Sequence, residues 1–286
     1  MITTFRPLPK LVLLLALAAP VFAQKGEGPI DPAPPKGHTP DEIINIVAQK
    51  EKEFQQARDR YVYRQDVKIN ELEGNTVVGE YRSVSDVTFD DRGRRAESVV
   101  FAPQNTLQRV IMNQEDKDDI ENHFPFVLTS DTRDVYDIKY VGHQKVDELG
   151  TYVFDLNPVR LQKGKRYFKG RIWVDDQDLM IVKTSGVGYP NSKDNTPLPF
   201  TTWREQIDGK YWFPTYTSGQ VEVCDRDKHG VCKNVGTPIA AVVKYTDYKQ
   251  YKATSTITFG EEVPDPNQPQ QPQQQQQQQP GAKPKK

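Results

Sequence analysis

Cysteine is almost absent from this chain. Cys224 and Cys232 are its only two, and its four histidines, His38, His123, His143 and His229, share no ligand spacing. That scarcity argues against zinc modules built on repeated Cys and His pairs. Charge of one sign is also lacking: 38 Lys and Arg stand against 39 Asp and Glu, for a net −1. No strongly basic field is available to neutralise phosphates, so nucleic acid is not an expected partner. After the first residues no apolar run approaches the roughly 20 residues of a membrane-spanning helix. No Gly-x-Ser-x-Gly elbow and no P-loop occur, and Gly186-Val-Gly188 lacks the following glycine and strand-to-helix setting of a dinucleotide site.

The two ends carry instructions other than folding. Residues 1–23 read as a signal peptide, with Arg6 and Lys10 ahead of a short apolar stretch from Leu11 to Ala19. Pro20 breaks the stretch, and Val21-Phe22-Ala23 supplies small residues for cleavage after Ala23. Their removal takes two cations and no acids, which leaves a net charge of −3. No cysteine follows the cleavage point, so no lipid anchor is expected there, and the product is expected to be soluble and periplasmic. Residues 24–38, rich in Pro and Gly, read as a flexible N-terminal segment. Residues 263–286, a glutamine run broken by prolines, read as a disordered tail, because they carry too little apolar surface to offset ordering. A spacer or adhesive role for the tail is the sharper alternative.

Between these ends one domain is expected over residues 39–262. Thr39, Pro40 and Glu42 make an N-cap, a first-position proline and a capping box, so a helix should start here. Ile43, Ile44, Val47, Phe54 and Ala57 give it one apolar face. Strand candidates follow at residues 61–70, 76–89 and 95–101, separated by Gly74-Asn75 and Asp91-Arg92-Gly93. Residues 113–122 change character and read as a solvated helix, and Phe124-Pro125-Phe126-Val127-Leu128 is an apolar knot. Alternation resumes at 136–144, 150–157, 171–174, 179–184, 203–207, 211–217 and 240–248. Asp175 to Asp178 and Asp208-Gly209 are turn chemistry; Asp-Gly tolerates the positive φ of tight hairpins. The expected fold class is mainly β with helices (α+β), built on a curved antiparallel sheet.

Four segments carry a family likeness: residues 150–158 (GTYVFDLNP), 170–175 (GRIWVD), 179–183 (LMIVK) and 207–214 (IDGKYWFP). With the helix-first order they resemble the LolA-like family of periplasmic carriers of lipoprotein acyl chains. RseB-type envelope-stress regulators share that fold. The resemblance implies an unclosed β-barrel covered by helices, with an apolar cavity between them. The chain departs from the pattern in its Cys224–Cys232 loop and its tail. The arginine that locks the family's lid has no assignable counterpart, and the second small domain of RseB-like regulators is not found.

Chemistry within the chain is sparse. Cys224 and Cys232 flank a short polar loop and most simply form a disulfide in an exported protein. A metal site using Asp225, Asp227 and His229 is the alternative, short of ligands. Glu115, Asp116, Asp118, Asp119 and Glu121 lack the register and central glycine of a calcium loop. A carboxylate pair of a hydrolase, distant in sequence, stays open as a third hypothesis. No cofactor and no catalytic residue is expected. The candidate ligand-binding residues are the aromatics Tyr81, Phe101, Phe154, Trp203, Phe213 and Tyr216, which a curved sheet would bring to one concave face. Trp173 is a further candidate whose alternation with Ile172 and Val174 also allows an outward position. The expected function is a monomeric carrier of lipid or lipoprotein acyl chains, with transient membrane contact and an envelope receptor. The alternative is an envelope sensor or assembly module that binds a protein partner. Core filling is the plainer role for each aromatic.

Overall fold

The computed structural model describes residues 26–251 apart from 91, 193–194, 225–226, 228–231 and 234. The expected signal segment, the tail and most of the Cys224–Cys232 loop lie outside the described residues. The helix reads out as expected: α1 spans Pro40–Arg58. Thr39 Oγ1 accepts from the Glu42 amide at 3.3 Å, and Glu42 Oε2 accepts from the Thr39 amide at 2.7 Å. Ile43, Ile44, Val47, Ala48 and Phe54 are buried on one face, and so, unexpectedly, is Glu51.

Ten strands follow: β1 (Tyr61–Glu73), β2 (Thr76–Phe89), β3 (Arg95–Phe101), β4 (Tyr136–Val146), β5 (Leu149–Pro158), β6 (Tyr167–Asp175), β7 (Ile181–Tyr189), β8 (Phe200–Ile207), β9 (Tyr211–Val223) and β10 (Thr237–Gln250). Among the described residues they form one antiparallel sheet in the order β3-β2-β1-β10-β9-β8-β7-β6-β5-β4. β3 and β4 are therefore the two edges, and the sheet is not closed between them. Several strands run longer than their alternating cores because ladder bonds continue into Gly, Ser and Thr positions, as at Thr184 to Gly188 in β7. The turns use the residues expected of them. Asp208 and Gly209 take φ of 57° and 67° in the three-residue connection between Ile207 and Tyr211, the positive values their tight turn needs. Asp175 Oδ2 accepts from the amides of Gln177 and Asp178 at 3.0 and 2.9 Å.

The sheet's inner face meets α1. On β1, Tyr63, Val67 and Ile69 point inward, and they join Ile43, Val47, Phe154, Leu156, Phe168, Ile172, Ile181, Val243 and Tyr245 in the main core. A second cluster at the C-terminal end of α1 joins Phe54, Tyr61, Met180 and Phe213. A third, on the outer face, joins Val146, Val153, Trp173 and Val182.

Because β3 and β4 are consecutive in the chain but lie at opposite edges, residues 102–135 must cross the open side of the sheet. This covering segment contains α2 (Gln114–Asp118) and a π-helical turn (Asp119–His123). The stretch read as a solvated helix is solvated only in part: Asp119, Ile120 and His123 are buried. Arg166, distant in sequence, makes that possible by placing two Nη2 bonds of 2.8 Å on the Asp119 carboxylate.

The segment expected to be flexible is tied down where it is described. The amides of Gly28 and Asp31 donate to the carbonyls of Lys145 and His143, both at 2.8 Å, and Tyr140 Oη donates to the Ala33 carbonyl. These bonds cover the β4 edge, which would otherwise present an open ladder. Glu27 pairs with Lys183, and Lys183 lies 4.4 Å from the centre of the Trp173 ring. Gly142, at a ladder irregularity with φ of 154°, has no room for a Cβ beside the Asp31 backbone and the Ile30 side chain. Gly142→Ala should therefore detach residues 26–33 from β4. Amide exchange at Gly28 and Asp31 should accelerate while the β1 and β10 amides keep their protection. Unchanged exchange at Gly28 and Asp31 would contradict this role.

Cys224 and Cys232 form the expected disulfide, with Cα atoms 5.6 Å apart. Most of the loop it closes is outside the described residues.

Candidate functional site

A cavity of about 320 Å³ lies between the inner face of the sheet and the covering segment. Its floor is aliphatic: Val67 and Ile69 from β1, Val221 and Val223 from β9, and Ile239, Ala241 and Val243 from β10. Period-two alternation in three adjacent strands puts these residues on one face. The roof comes from residues 107–124, chiefly Leu107, Val110, Met112, Ile120 and Phe124, and Ile111 is 91% exposed. One rim is polar, made by Arg109, Asn113, Asp116, Asp119, Asn195 and Thr196. Burial raises the Asp116 carboxyl above its ordinary pKa, against the pull of its bond from the Asn113 amide.

Buried polar groups fasten the roof at three places. Near its start, Glu71 Oε2 accepts from the amides of Gln108 and Arg109 at 2.8 and 3.1 Å. Gly79 opposite Glu71 allows that approach, since a Cβ there would lie 2.8 Å from the Thr106 carbonyl oxygen. At the helical turn, Arg166 holds Asp119 and also donates to Glu115 at 3.1 Å and to Asn191 Oδ1 at 3.1 Å. Past the turn, Arg204 donates to the Phe126 carbonyl, and Thr202 Oγ1 donates to the Phe124 carbonyl at 2.8 Å.

Arg204 does more than hold the roof. Its Nη1 donates to both oxygens of Glu51 at 2.9 and 3.1 Å, with side chains 1% and 0% exposed. Nη1 also reaches the Ile181 carbonyl at 3.3 Å, and the guanidinium stands 5.3 Å from the Phe54 ring centre. One side chain thus joins α1, β7, β8 and the roof. Burial pushes the Glu51 carboxyl up, more than Arg204 pulls it down. The only sign of this pair in the sequence is Glu51's place on the stripe of Ile44, Val47 and Phe54; nothing marks Arg204.

The aromatics chosen from the sequence are not gathered in this cavity. Phe154 is fully buried in the main core, packed edge-on to Tyr140 at 5.4 Å. Phe213 is fully buried in the second cluster, 5.1 Å from Phe54. Tyr81 flanks the main core opposite Ile69, on the inner face but away from the lining. Trp203 and Tyr216 face each other at 5.7 Å on the outer face, because the neighbouring Thr202, Arg204 and Thr217 point inward. Phe101 is 50% exposed near the end of edge strand β3, under the Arg82 guanidinium. Trp173 also faces outward and donates through Nε1 to Gln144 Oε1 at 2.7 Å. Aliphatic side chains, not these rings, line this cavity. Thr202, Thr217 and the Tyr245 hydroxyl satisfy one another inside, at 2.7 and 3.3 Å, which frees the larger rings of β8 and β9 for the other face.

Among the described residues Asp118, Asp119 and His123 come close enough to share an ion. Arg166 occupies that carboxylate group instead. Among the described residues, the acids on the aliphatic cavity are Asp116 and Asp119 at its polar rim, and Arg166 pairs with Asp119.

No family model matches the chain, and no curated protein matches it significantly. Solved structures do. A DUF1329 family protein from Desulfovibrio piger aligns over 75% of this chain and 94% of its own, with 14% identity and a TM-score of 0.40. A LolA superfamily protein from Nitrosomonas europaea aligns over 71% and 94%, with 15% identity and a TM-score of 0.32. An outer membrane lipoprotein-sorting protein domain from Vibrio parahaemolyticus aligns over 72% and 93%, with 10% identity and a TM-score of 0.34. At these scores the pairing register described above, not the neighbours, defines the details of the fold.

Proposed function

We propose that this protein is an exported periplasmic carrier that shelters an apolar chain, a lipid or the acyl chains of a lipoprotein, between its sheet and its roof. The observation that carries the reading is the composition of the cavity: an aliphatic floor from β1, β9 and β10 under Leu107, Val110, Met112, Ile120 and Phe124 of the roof. Such a volume is at the lower end of small-molecule sites, and its few polar groups sit at one rim, where they orient rather than react. Each methylene moved from water into it contributes about 0.8 kcal/mol. Binding then needs no covalent step and no cofactor. The roof is a crossing segment, not part of the sheet, so loading and release require its displacement alone.

Uptake of a fluorescent acyl probe tests this. Ala241 is 3% exposed and sits on the floor, so Ala241→Phe grows into the cavity. It should weaken probe binding about tenfold or more, since filling the space removes several methylenes' worth of burial. Tyr216→Ala on the outer face should leave binding unchanged. Equal binding by wild type and Ala241→Phe would contradict the assignment.

The alternative, an envelope module that binds a protein, is favoured by a different observation. Edge strand β3 exposes Val99, Val100 and Phe101 at 61%, 52% and 50%, and an open apolar edge invites a partner's strand.

A further inference from the structure

A second, polar cleft opens beside the aliphatic cavity. Its volume is about 550 Å³, and it lies between the end of α1, the inner side of β1 to β3 and the later part of the roof. Arg58, Arg95, His123, Lys165 and Arg166 line it, together with the hydroxyl-bearing rings of Tyr63, Tyr136 and Tyr167. The acids on its wall are Glu121 and Asp131, and Asp131 is held by Lys52 at 2.8 Å.

Unused donors are concentrated here. Nε of Arg58 and Nε of Arg95 are buried without a hydrogen-bond partner, and Arg95 Nη2 donates to Gln65 Oε1 at 2.6 Å. His123 Nδ1 approaches Asp119 Oδ1 at 3.0 Å without the alignment of a hydrogen bond, with its side chain 7% exposed. The nearby anions do not complete these groups. Glu97 takes Arg95 Nη1, Asp59 reaches Arg58 Nη2 only at 3.4 Å, and Arg166 is committed to Glu115 and Asp119. Buried donors without acceptors are rare in folded proteins and call for an occupant. Guanidinium and ammonium groups on one cleft wall supply the charge-assisted donors that carboxylate and phosphate oxygens accept from.

The two spaces are neighbours. Ile120 and Phe124 of the roof face the aliphatic cavity, while Glu121, Asn122, His123 and Phe126 face the polar cleft. On β1, Tyr63 belongs to the cleft and Val67 to the cavity, about 13 Å apart along the strand. Gln65 lies between them.

We propose that this cleft binds the anionic headgroup, a phosphate or carboxylate, of an amphiphile whose apolar chain occupies the adjoining cavity. The ligand class is then an acidic lipid rather than a neutral one; this rests on the carrier reading and narrows it. Arg58 and Arg95 grip the headgroup, and Lys165, exposed at the rim, draws it in.

The test compares three probes on the purified mature protein by calorimetry at low salt: a monoacylglycerol phosphate, the monoacylglycerol with the same chain, and inorganic phosphate. The phosphorylated lipid should bind at least about tenfold tighter than the neutral one, as hydrogen bonds to charged groups allow. That advantage should vanish in the Arg58→Gln, Arg95→Gln double variant, and should shrink in Lys165→Gln, while binding of the neutral lipid persists and reports an intact fold. Equal binding of both lipids by wild type overturns the headgroup site and leaves the carrier reading standing. No binding of either lipid overturns both. Inorganic phosphate binding as tightly as the phosphorylated lipid overturns the amphiphile and points to a free anion.

Discussion

Replacing Arg204 with alanine should lower the stability of the folded domain by about 3–5 kcal/mol at neutral pH, because it strands a buried carboxylate. Glu51 is 0% exposed and has Arg204 as its cation. The deficit should depend on pH in a defined direction. Burial already raises the Glu51 carboxyl, and loss of Arg204 raises it further. The folded variant therefore holds a proton that the unfolded chain has released at pH values between the unfolded and folded pKa. Stability is then full below the unfolded value and falls as pH rises through the folded one. Glu51→Ala behaves differently, since it strands a guanidinium that cannot give up its charge. Urea unfolding at pH 5 and pH 8 should show the Arg204→Ala deficit growing with pH relative to that of Glu51→Ala. Deficits that move together would show that Glu51 does not titrate in this site. Replacing both partners with apolar residues of similar volume should cost far less than either single change, or even stabilise.

Phe168→Ala is expected to have a comparable cost, about 3–5 kcal/mol, by a different mechanism. Phe168 is fully buried on β6, stacked on Phe126 of the roof at 4.4 Å and tilted against Phe200 at 5.9 Å. Phe124 meets Phe200 in turn at 4.5 Å. Four rings thus clamp the apolar knot onto β6 and β8. Truncating the central ring leaves a void that the knot and the sheet cannot both close. Amide exchange in residues 124–128 should accelerate more than exchange in β1. Phe101→Ala, at an exposed edge, should change stability by no more than about 0.5 kcal/mol. A similar small effect at Phe168 would mean that the roof is not held by this aromatic clamp.

These two positions also show what could be read from the sequence. The alternating strands, the Thr39 cap and the Asp208-Gly209 turn depend on neighbours a few residues apart, and they were legible. The cavity floor was half legible: Val243 falls within the alternating stretch 240–248, and Val221 and Val223 alternate just ahead of Cys224. Which face looks inward was not legible, because it is set by partners across the sheet. Trp203 lies outward since Thr202 and Arg204 find polar partners within, on β9, α1 and the roof. The Phe124 to Leu128 knot was visible as an apolar cluster, but its partners Phe168 and Phe200 are more than 40 residues away. Arg166 and Asp119 are likewise far apart in sequence, and no spacing rule joins them.

The central claim is that an apolar chain occupies the space over Val67, Ile69 and Val243. Its most direct test is native mass spectrometry of the mature protein purified gently from its own envelope fraction, followed by organic extraction of any bound lipid. The account predicts a stoichiometric acyl-bearing ligand on the wild type and its loss from a folded Ala241→Phe variant. A clean apo mass, with no uptake of offered lipids or lipopeptides, would contradict it and turn attention to the open edge of β3.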